Sequence, residues 1–542
     1  MGVRPSLVRL LDWVIVLALG ALLAVIVTGG WTLRLGGTPV AITRPEDVLL
    51  GTLALFAIRF GLRPLSFRRL APARIVLCGV VVYAVVFSFI TVNRHLAFRT
   101  HALDLGYYDQ LLWNITRGNG PLVSLPPMNA WGDHLSPILY LLAPLYLAFS
   151  TPLLLLVTQS VALGLGAIPV YLLARRRLGD ARLAGALAAL YLINPTLHGI
   201  NLRDFHATAL AIPLLLSVVL CVEAGRPWWA GAAIVLVLAC REDATLPVLG
   251  LGLWVAARRR WIPGIGLALA SLALLFVLTE GVIPYFRAAP YPHLQRYIHL
   301  GSTVGEIVET VFLHPLRTIA GMLSGRQLLY VLALLTPLGF LPLLGLLDVL
   351  PALPVLAQNL LSRDPVLFHH RTQYNAFVLP FLVVAAIAGV ERLREWSASP
   401  GRQLGPGVVL GFAMILSLAL TSRTVNELRV DRVVRTAHQR AAYQVMAAIP
   451  PGAAVSTQDP YVPHLTRRST VFVFPNGLEQ SDHVLIDLAT DPWRKLHEWS
   501  LERRGSGVIL RRREGPAPTE YHYDVVRELD GYLLLARRSG TP

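Results

Sequence analysis

Charge is scarce in this chain, and lysine is almost missing. Only 15% of the 542 residues are charged, and Lys495 is the sole lysine, so arginine carries the formal net charge of +16. A nucleic-acid binder gathers its cations on one face or along one groove. Here many stand at the ends of apolar runs instead, as in Arg175-Arg176-Arg177 and Arg258-Arg259-Arg260. That placement sets membrane orientation, because basic residues stay on the cytoplasmic side; nucleic acid is not expected as a partner. Cysteine is as sparse. Cys78, Cys221 and Cys240 lie in or beside apolar runs with no Cys-x-x-Cys pair, which excludes a disulfide framework and a cysteine-ligated metal. There is no Walker-type loop, no G-x-G-x-x-G after a strand pattern and no strong internal repeat, so the chain carries no local engine for ATP-driven transport.

What is abundant is apolar sequence: 54% of residues are hydrophobic and the mean hydropathy is +0.57. Successive apolar runs approaching the roughly 20 residues that cross a bilayer define a polytopic membrane protein. The first, Val14–Gly30, is too long for a signal-peptide core and reads as a retained anchor with the N-terminus cytoplasmic. A second, Val48–Leu62, runs into a connection holding Arg59, Arg63, Arg68, Arg69 and Arg74, which belongs inside; a third, Ile75–Val92, leads out to a loop at 93–150. Leu135–Phe149 is short, with two prolines and two tyrosines counted from Pro137 to Tyr146, and is expected to lie along the interface. Treating it so places Arg175–Arg182, Glu223–Arg226 and Arg258–Arg260 inside. His198–His206, Arg241–Asp243, Glu280–Arg326 and Ser362–Gln373 then fall outside. Trp228–Cys240 and Ala244–Val255 read as two short helices, since one long helix would bury Arg241, Glu242 and Asp243 at mid-membrane.

The expected architecture is mainly α, with about thirteen crossings, juxtamembrane helices and a small α/β domain outside. Three parts follow: an N-terminal hairpin over 1–74, a membrane domain over 75–421 containing the external loop 93–150, and the external domain over 422–542. That last part opens with an amphipathic helix, Val425–Ala448. Short β-like runs follow at Ala453–Thr457, Thr470–Phe474, His483–Leu488, Gly507–Leu510 and Tyr532–Ala536.

Five constellations collect on the external side. Asp104 and Asp109 are five apart, which splays them by about 140° on a helix. Asp104 is therefore expected to cap a helix Leu105–Arg117 that Gly118-Asn119-Gly120 ends, or else to act as a general base at the membrane surface. Asp133-His134-x-Ser136-Pro137 is either a helix cap or a site where His134 ligates metal, binds phosphate or orients an acceptor. Asn201-x-Arg203-Asp204-x-His206 is either an Arg203–Asp204 structural pair or a pair of cavity ligands, Asp204 and His206. Arg241-Glu242-Asp243, wedged between apolar runs, is a functional candidate by its depth, with Arg241 suited to fork onto phosphate. The fifth, Arg363-Asp364 with His369-His370-Arg371-x-x-Tyr374, is either a surface loop or part of the same site. A pure scaffold has no need to gather acids, histidine and arginine at one face.

The order of these parts resembles the GT-C membrane glycosyltransferases, such as protein mannosyltransferases and aminoarabinose transferases. Asp104 to Asp109 with Arg117-Gly118-Asn119-Gly120 resembles their acid-led loop helix, and His134 to Phe149 their second juxtamembrane helix. A closer resemblance is to a family of predicted prokaryotic membrane proteins that carry a domain of unknown function. It rests on Asp104-x-Gly106, Asp109-Gln110, Trp113-Asn114, His134-x-Ser136-Pro137, Asp204-Phe205-His206, Arg241-Glu242-Asp243, Gln458-Asp459 and Pro463-His464 with Arg467. Two departures stand out: Leu105 follows Asp104 where a second acid is expected, and a hairpin at 14–62 precedes the usual first span.

The resemblance implies an inverting transferase in a prokaryotic plasma membrane, taking a sugar from a polyprenyl-phosphate donor at the external leaflet. Asp104, with Asp109 and His134 beside it, is the implied catalytic set, and a divalent metal ion the implied cofactor. Gln110, Trp113, Asp204, His206, Arg241, Glu242, His370 and Tyr374 are the implied substrate ligands. A transporter or lipid flippase, and a non-catalytic membrane scaffold, are the competing readings; sugar and acceptor are not legible.

Overall fold

The computed structural model describes residues 5–35, 38–62, 71–258, 260–398, 405–489, 499–505, 507–512 and 520–538. Arg63, Arg68 and Arg69 of the expected inner connection lie outside that set. Two compact units are present. One comprises Met1–Thr91, Asp133–Ile138 and Val157–Val433, the other Val92–Gly132, Leu139–Leu156 and Val434–Pro542.

Among the described residues four helices are long and apolar enough to cross a membrane: Ser6–Thr28, Pro72–Leu96, Pro152–Leu178 and Trp261–Arg287. Ala181–Leu192 and Pro195–Asn201, bent by 44°, make a fifth if the pair is one span. The helix over 5–28 leaves Trp13, Leu17 and Leu23 from 62% to 71% exposed, an apolar surface suited to lipid rather than water. Shorter apolar helices include Pro227–Leu238, Leu346–Leu361 and Pro406–Ala419. Leu379–Ser397 is the opposite case. Nine successive residues, Leu379 to Ile387, are buried, as a helix apolar on every side must be inside a bundle.

In the first unit, Thr245–Ala257 and Trp261–Phe276 form a tight hairpin whose contact face is small. A Cβ on Gly252 would fall 2.5 Å from the Ala268 nitrogen, and one on Gly264 would fall 2.4 Å from that of Ala256. Gly252-x-x-x-Ala256 facing Gly264-x-x-x-Ala268 is the small-residue pattern that lets helix backbones touch in lipid. Gly264→Ile is expected to destabilise the unit by about 2 kcal/mol or more, read as a fall in the melting temperature of the purified protein. A melting temperature equal to that of the unaltered chain would show that the backbones do not need this approach.

At one end of that hairpin four separated connections share an ion network. Arg177 reaches Glu223 at 2.5 Å and Asp348 at 2.6 Å. Arg258 reaches the same two acids at 3.0 and 2.8 Å, and the Trp254 indole donates to Asp348 at 2.7 Å.

The second unit holds a mixed sheet of seven strands: β1 Val455–Thr457, β2 Val471–Val473, β3 His483–Asp487, β4 Trp499–Arg504, β5 Gly507–Arg512, β6 Glu520–Leu529 and β7 Tyr532–Arg537. Their order is β2-β1-β3-β7-β6-β5-β4, parallel among the first three and antiparallel beyond. Central strands buried on both faces read as unbroken apolar runs. Leu485 and Leu534 face one core, while Val484, Ile486, Leu533 and Leu535 face the other. The first of these cores also takes Phe98, Ala102 and Leu125, so the acid-bearing loop folds onto the C-terminal sheet. The expected helix over 425–448 is three pieces, Ser422–Glu427, Val430–Val433 and Ala437–Met446. Thr436 restarts the last of them with a capping box to Gln439.

Candidate functional site

In the second unit the acid-led helix begins earlier than its cap pattern suggests. A π-helical turn, Ala102–Gly106, runs into the α-helix Tyr107–Thr116. Asp104 therefore sits inside the turn and is not its cap. The cap comes from Asp459, whose carboxylate accepts from the Ala102 nitrogen at 2.9 Å and from His101 Nδ1 at 2.7 Å. Gly118 and Gly120, at φ of +77° and +73°, end the helix in the left-handed conformation that glycine tolerates. A π turn widens the helix locally and is common at working sites; Asp104 lies on it half-buried.

Asp109 is different, being fully buried. It accepts from Tyr146 Oη at 2.7 Å and from Thr466 Oγ1 at 2.5 Å. Burial pushes its carboxyl up to about 6, against those two bonds and Arg467, which hold it down. Such a group favours the protonated fold. Its contribution is complete below the unfolded pKa near 4 and is lost as pH rises through about 6, an effect of about 3 kcal/mol at most. Hydrogen exchange of Tyr107–Thr116, corrected for its intrinsic rate, is expected to slow from pH 7 to pH 5 in the wild type. The Asp109→Asn chain should lose that dependence; an equal slope in both would remove Asp109 as its source. Gln110 is also buried, tied to Ser124 at 2.9 Å and to the Arg468 carbonyl at 3.2 Å. Trp113 carries Arg117 over its ring at 4.6 Å. Gln110 thus braces the loop against the sheet.

In the first unit the polar side chains converge around Glu242, at the opposite end of Thr245–Ala257 from the ion network. The junction 241–243 separates two short helices, Pro227–Leu238 and Thr245–Ala257, as its charges require. Glu242 is 1% exposed. Its Oε1 accepts from His134 Nδ1 and from Tyr291 Oη, each at 2.9 Å, and its Oε2 from the Leu135 nitrogen at 3.2 Å. Burial works against charge on both partners, yet Glu242 holds the His134 imidazolium raised and His134 holds the Glu242 carboxyl down. The His134 and His293 rings stack at 4.4 Å. Burial, and then the His134 charge, push His293 the other way, since two stacked cations repel.

His293 Nε2 is buried with no hydrogen-bond partner, 3.4 Å from Asp133 Oδ1. Asp133, His134 and His293 can each offer a ligand atom, all within 4.8 Å of one another. With Nδ1 of His134 held by a carboxylate, its Nε2 becomes a ligand atom once it gives up its proton as the ion binds, the outer-shell arrangement that orients metal-bound histidine. The orphaned His293 nitrogen and this donor set fit a divalent cation that takes nitrogen and oxygen.

Arg241 gives Nε to Asp243 Oδ1 at 2.6 Å and Nη2 to its Oδ2, so the fork expected for phosphate is already occupied. Its guanidinium lies 5.3 Å over the Tyr374 ring, which Arg296 also covers at 5.4 Å. Asp204 is buried at φ +64°, and its carbonyl accepts from Gln159 Nε2 at 2.6 Å; the His206 nitrogen donates to the same side chain at 2.9 Å. His370 stacks on His369 at 5.0 Å, and burial followed by the Arg371 and His369 charges lowers it to about 4. Thus His134, Arg241, Glu242 and Tyr374 share one constellation, Asp204 and His206 meet at Gln159, His370 stacks on His369, and Asp104, Asp109, Gln110 and Trp113 belong to the other unit. Tyr291, His293 and Arg296 are the members that spacing did not single out. The 280–326 connection is rich in tyrosine and histidine, which is the signal for Tyr291 and His293; Arg296 carries none.

Fold and site together define a polytopic membrane protein with polar centres at its helix junctions. The chain belongs to the family described as predicted membrane protein (DUF2079), whose model matches residues 94–534. It is similar to two crystal structures of ArnT from Cupriavidus metallidurans, one bound to undecaprenyl phosphate and one in the apo state. Identities are 16% and 15%, each match covers 86% of this chain and 99% of that one, and both TM-scores are 0.48. No curated protein matches the chain by sequence.

Proposed function

We propose that the chain is a membrane glycosyltransferase of the inverting GT-C type, moving a sugar from a polyprenyl-phosphate donor to an acceptor at the external face. The observation that carries this is the closed constellation around Glu242. Its members come from 133–135, 241–243, 291–296 and 374, connections that the arginine pattern assigns to the outside. Arg177, Glu223 and Arg258, joined in one network with Asp348, come from connections assigned to the inside. That segregation supports about thirteen crossings with the N-terminus cytoplasmic and the C-terminal sheet outside.

In this reaction the acceptor hydroxyl gives its proton to Asp104 while its oxygen bonds to the anomeric carbon. The bond from that carbon to the phosphate oxygen breaks, and polyprenyl phosphate leaves with the electron pair. Asp109, buried with both oxygens engaged, keeps the base-bearing helix in place. Glu242 fixes the ring of His134, and Arg241, pinned by Asp243 through Nε and Nη2, supplies a fixed positive charge. Asp133, His134 and His293 would hold a divalent ion, which when bound supplies positive charge for phosphate oxygens.

The test uses the full chain in sealed vesicles loaded with polyprenyl-phosphate sugar. Release of polyprenyl phosphate with appearance of glycosylated acceptor supports the transferase. Counterflow of intact lipid without product supports a flippase and sinks it.

A further inference from the structure

A cavity of about 490 Å³ lies in the first unit, between the start of Gly325–Leu335 and the end of Leu353–Leu361. That size suits a small ligand or a short chain of one. Much of its wall comes from the 280–326 and 362–373 connections, which the arginine pattern assigns to the outside. Thr318 and Gly321 line it from the helix Pro315–Met322. On the same helix Leu316 and Ile319 are 84% and 51% exposed, an apolar side suited to the membrane surface. The cavity adjoins the Glu242 centre. The Arg363 nitrogen donates at 3.0 Å to the carbonyl of Arg296, whose guanidinium covers Tyr374.

The lining is cationic and rich in hydroxyls. Among the described residues Arg326 and Arg363 stand on it and no aspartate or glutamate does. The acid next to them in sequence, Asp364, pairs instead with Arg296 at 3.4 Å and accepts from the Val366 nitrogen at 3.0 Å. Arg326 lies 5.6 Å over the ring of Phe368, which is also on the lining. Thr318 is 4% exposed, yet its Oγ1 has no hydrogen-bond partner, and the Oε1 of Gln327 is buried without one. Buried polar atoms are almost always paired in a native fold. An amide oxygen only accepts, so the group that completes Gln327 carries an O–H or N–H.

We propose that this cavity binds an acidic glycan, a short chain of sugars bearing carboxylates such as an oligouronate, as the acceptor. Two guanidinium forks suit two carboxylates, while Thr318 and Gln327 pair with sugar hydroxyls. Phe368, Leu300 and Leu360 offer apolar surface to the C–H faces of the rings. An acidic peptide is held along an open strand edge or in backbone nests, whereas these walls are helices and their connections. That gives the proposed transferase an acceptor class, and only the ligand's role as acceptor rests on the transferase reading.

The experiment measures equilibrium binding of fluorescent trigalacturonate to the full chain in phosphatidylcholine nanodiscs. Saturable binding is expected, at least about tenfold tighter than that of neutral maltotriose and weakened as much by Arg326→Gln and by Arg363→Gln. Gly321→Leu is expected to weaken it by a similar factor by filling the cavity. A Cβ on Gly321 meets nothing within 4 Å, and leucine is the better helix former, so that variant folds. Maltotriose binding as tightly, or the three variants binding like the wild type, would overturn the site. Displacement by hexaglutamate would make it a peptide site. Displacement by inorganic phosphate, or by phosphatidylglycerol in the disc, would assign the arginines to phosphate; each of these overturns the glycan. Selective binding without sugar transfer leaves the site standing and removes the transferase. Transfer that is indifferent to Arg363→Gln and to the glycan's carboxylates does the reverse.

Discussion

Replacing Glu242 by glutamine is expected to lower sugar transfer at least about 100-fold while the chain still folds and inserts. One carboxylate serves the His134 ring, the Tyr291 hydroxyl and the Leu135 nitrogen, and a glutamine turns an NH₂ toward one of those donors. Removing one partner of a buried charge pair costs about 3–5 kcal/mol, and losing an outer-shell carboxylate weakens metal binding about 10–100-fold. The pH profile separates this from simple loss of packing. Glu242 holds the imidazolium of His134 up, so the limb that reports His134 should move to lower pH in Glu242→Gln. An unshifted limb with normal turnover would remove Glu242 from the machinery.

The second large effect is expected at Asp104. A positioned general base contributes about 10²–10⁴-fold, so Asp104→Asn should lose that factor in kcat with KM little changed. Asp109→Asn should lose less than about tenfold, because Asp109 is fully buried and both its oxygens are engaged. The two acids, five residues apart, therefore divide into a reactive group and a structural one. Steady-state kinetics of the two variants side by side read the difference. Equal losses would mean that the helix is merely being destabilised.

Much of this arrangement was legible in the residues. Charge at 241–243 between apolar runs requires a break in the helix there, and the break is present. The five apolar β runs correspond to strands, four of them inner strands and one, Val471–Val473, an edge strand buried against the acid-bearing loop. Trp499–Arg504 and Glu520–Leu529 lack that signal, since WSLERR ends in three successive charges and EYHYDVVREL carries four charges in ten residues, so both resemble loop. The capping of Ala102 by Asp459 spans 357 residues, a distance over which no local pattern speaks. The π turn was equally hidden, because nothing in Ala-Leu-Asp-Leu-Gly distinguishes it from an α-helical start. His293 and Tyr291 were visible only as composition. What makes them a site is that a long connection folds back onto Glu242, and that is a tertiary fact.

The most direct measurement follows a labelled sugar on polyprenyl phosphate, supplied to the purified chain in nanodiscs with a cell-envelope acceptor extract. Label is expected to leave the lipid for the acceptor with inverted anomeric configuration, and Asp104→Asn is expected to slow this by about 10²-fold or more. Label remaining on the lipid with the wild type, or leaving it at the same rate with Asp104→Asn, would contradict the transferase reading.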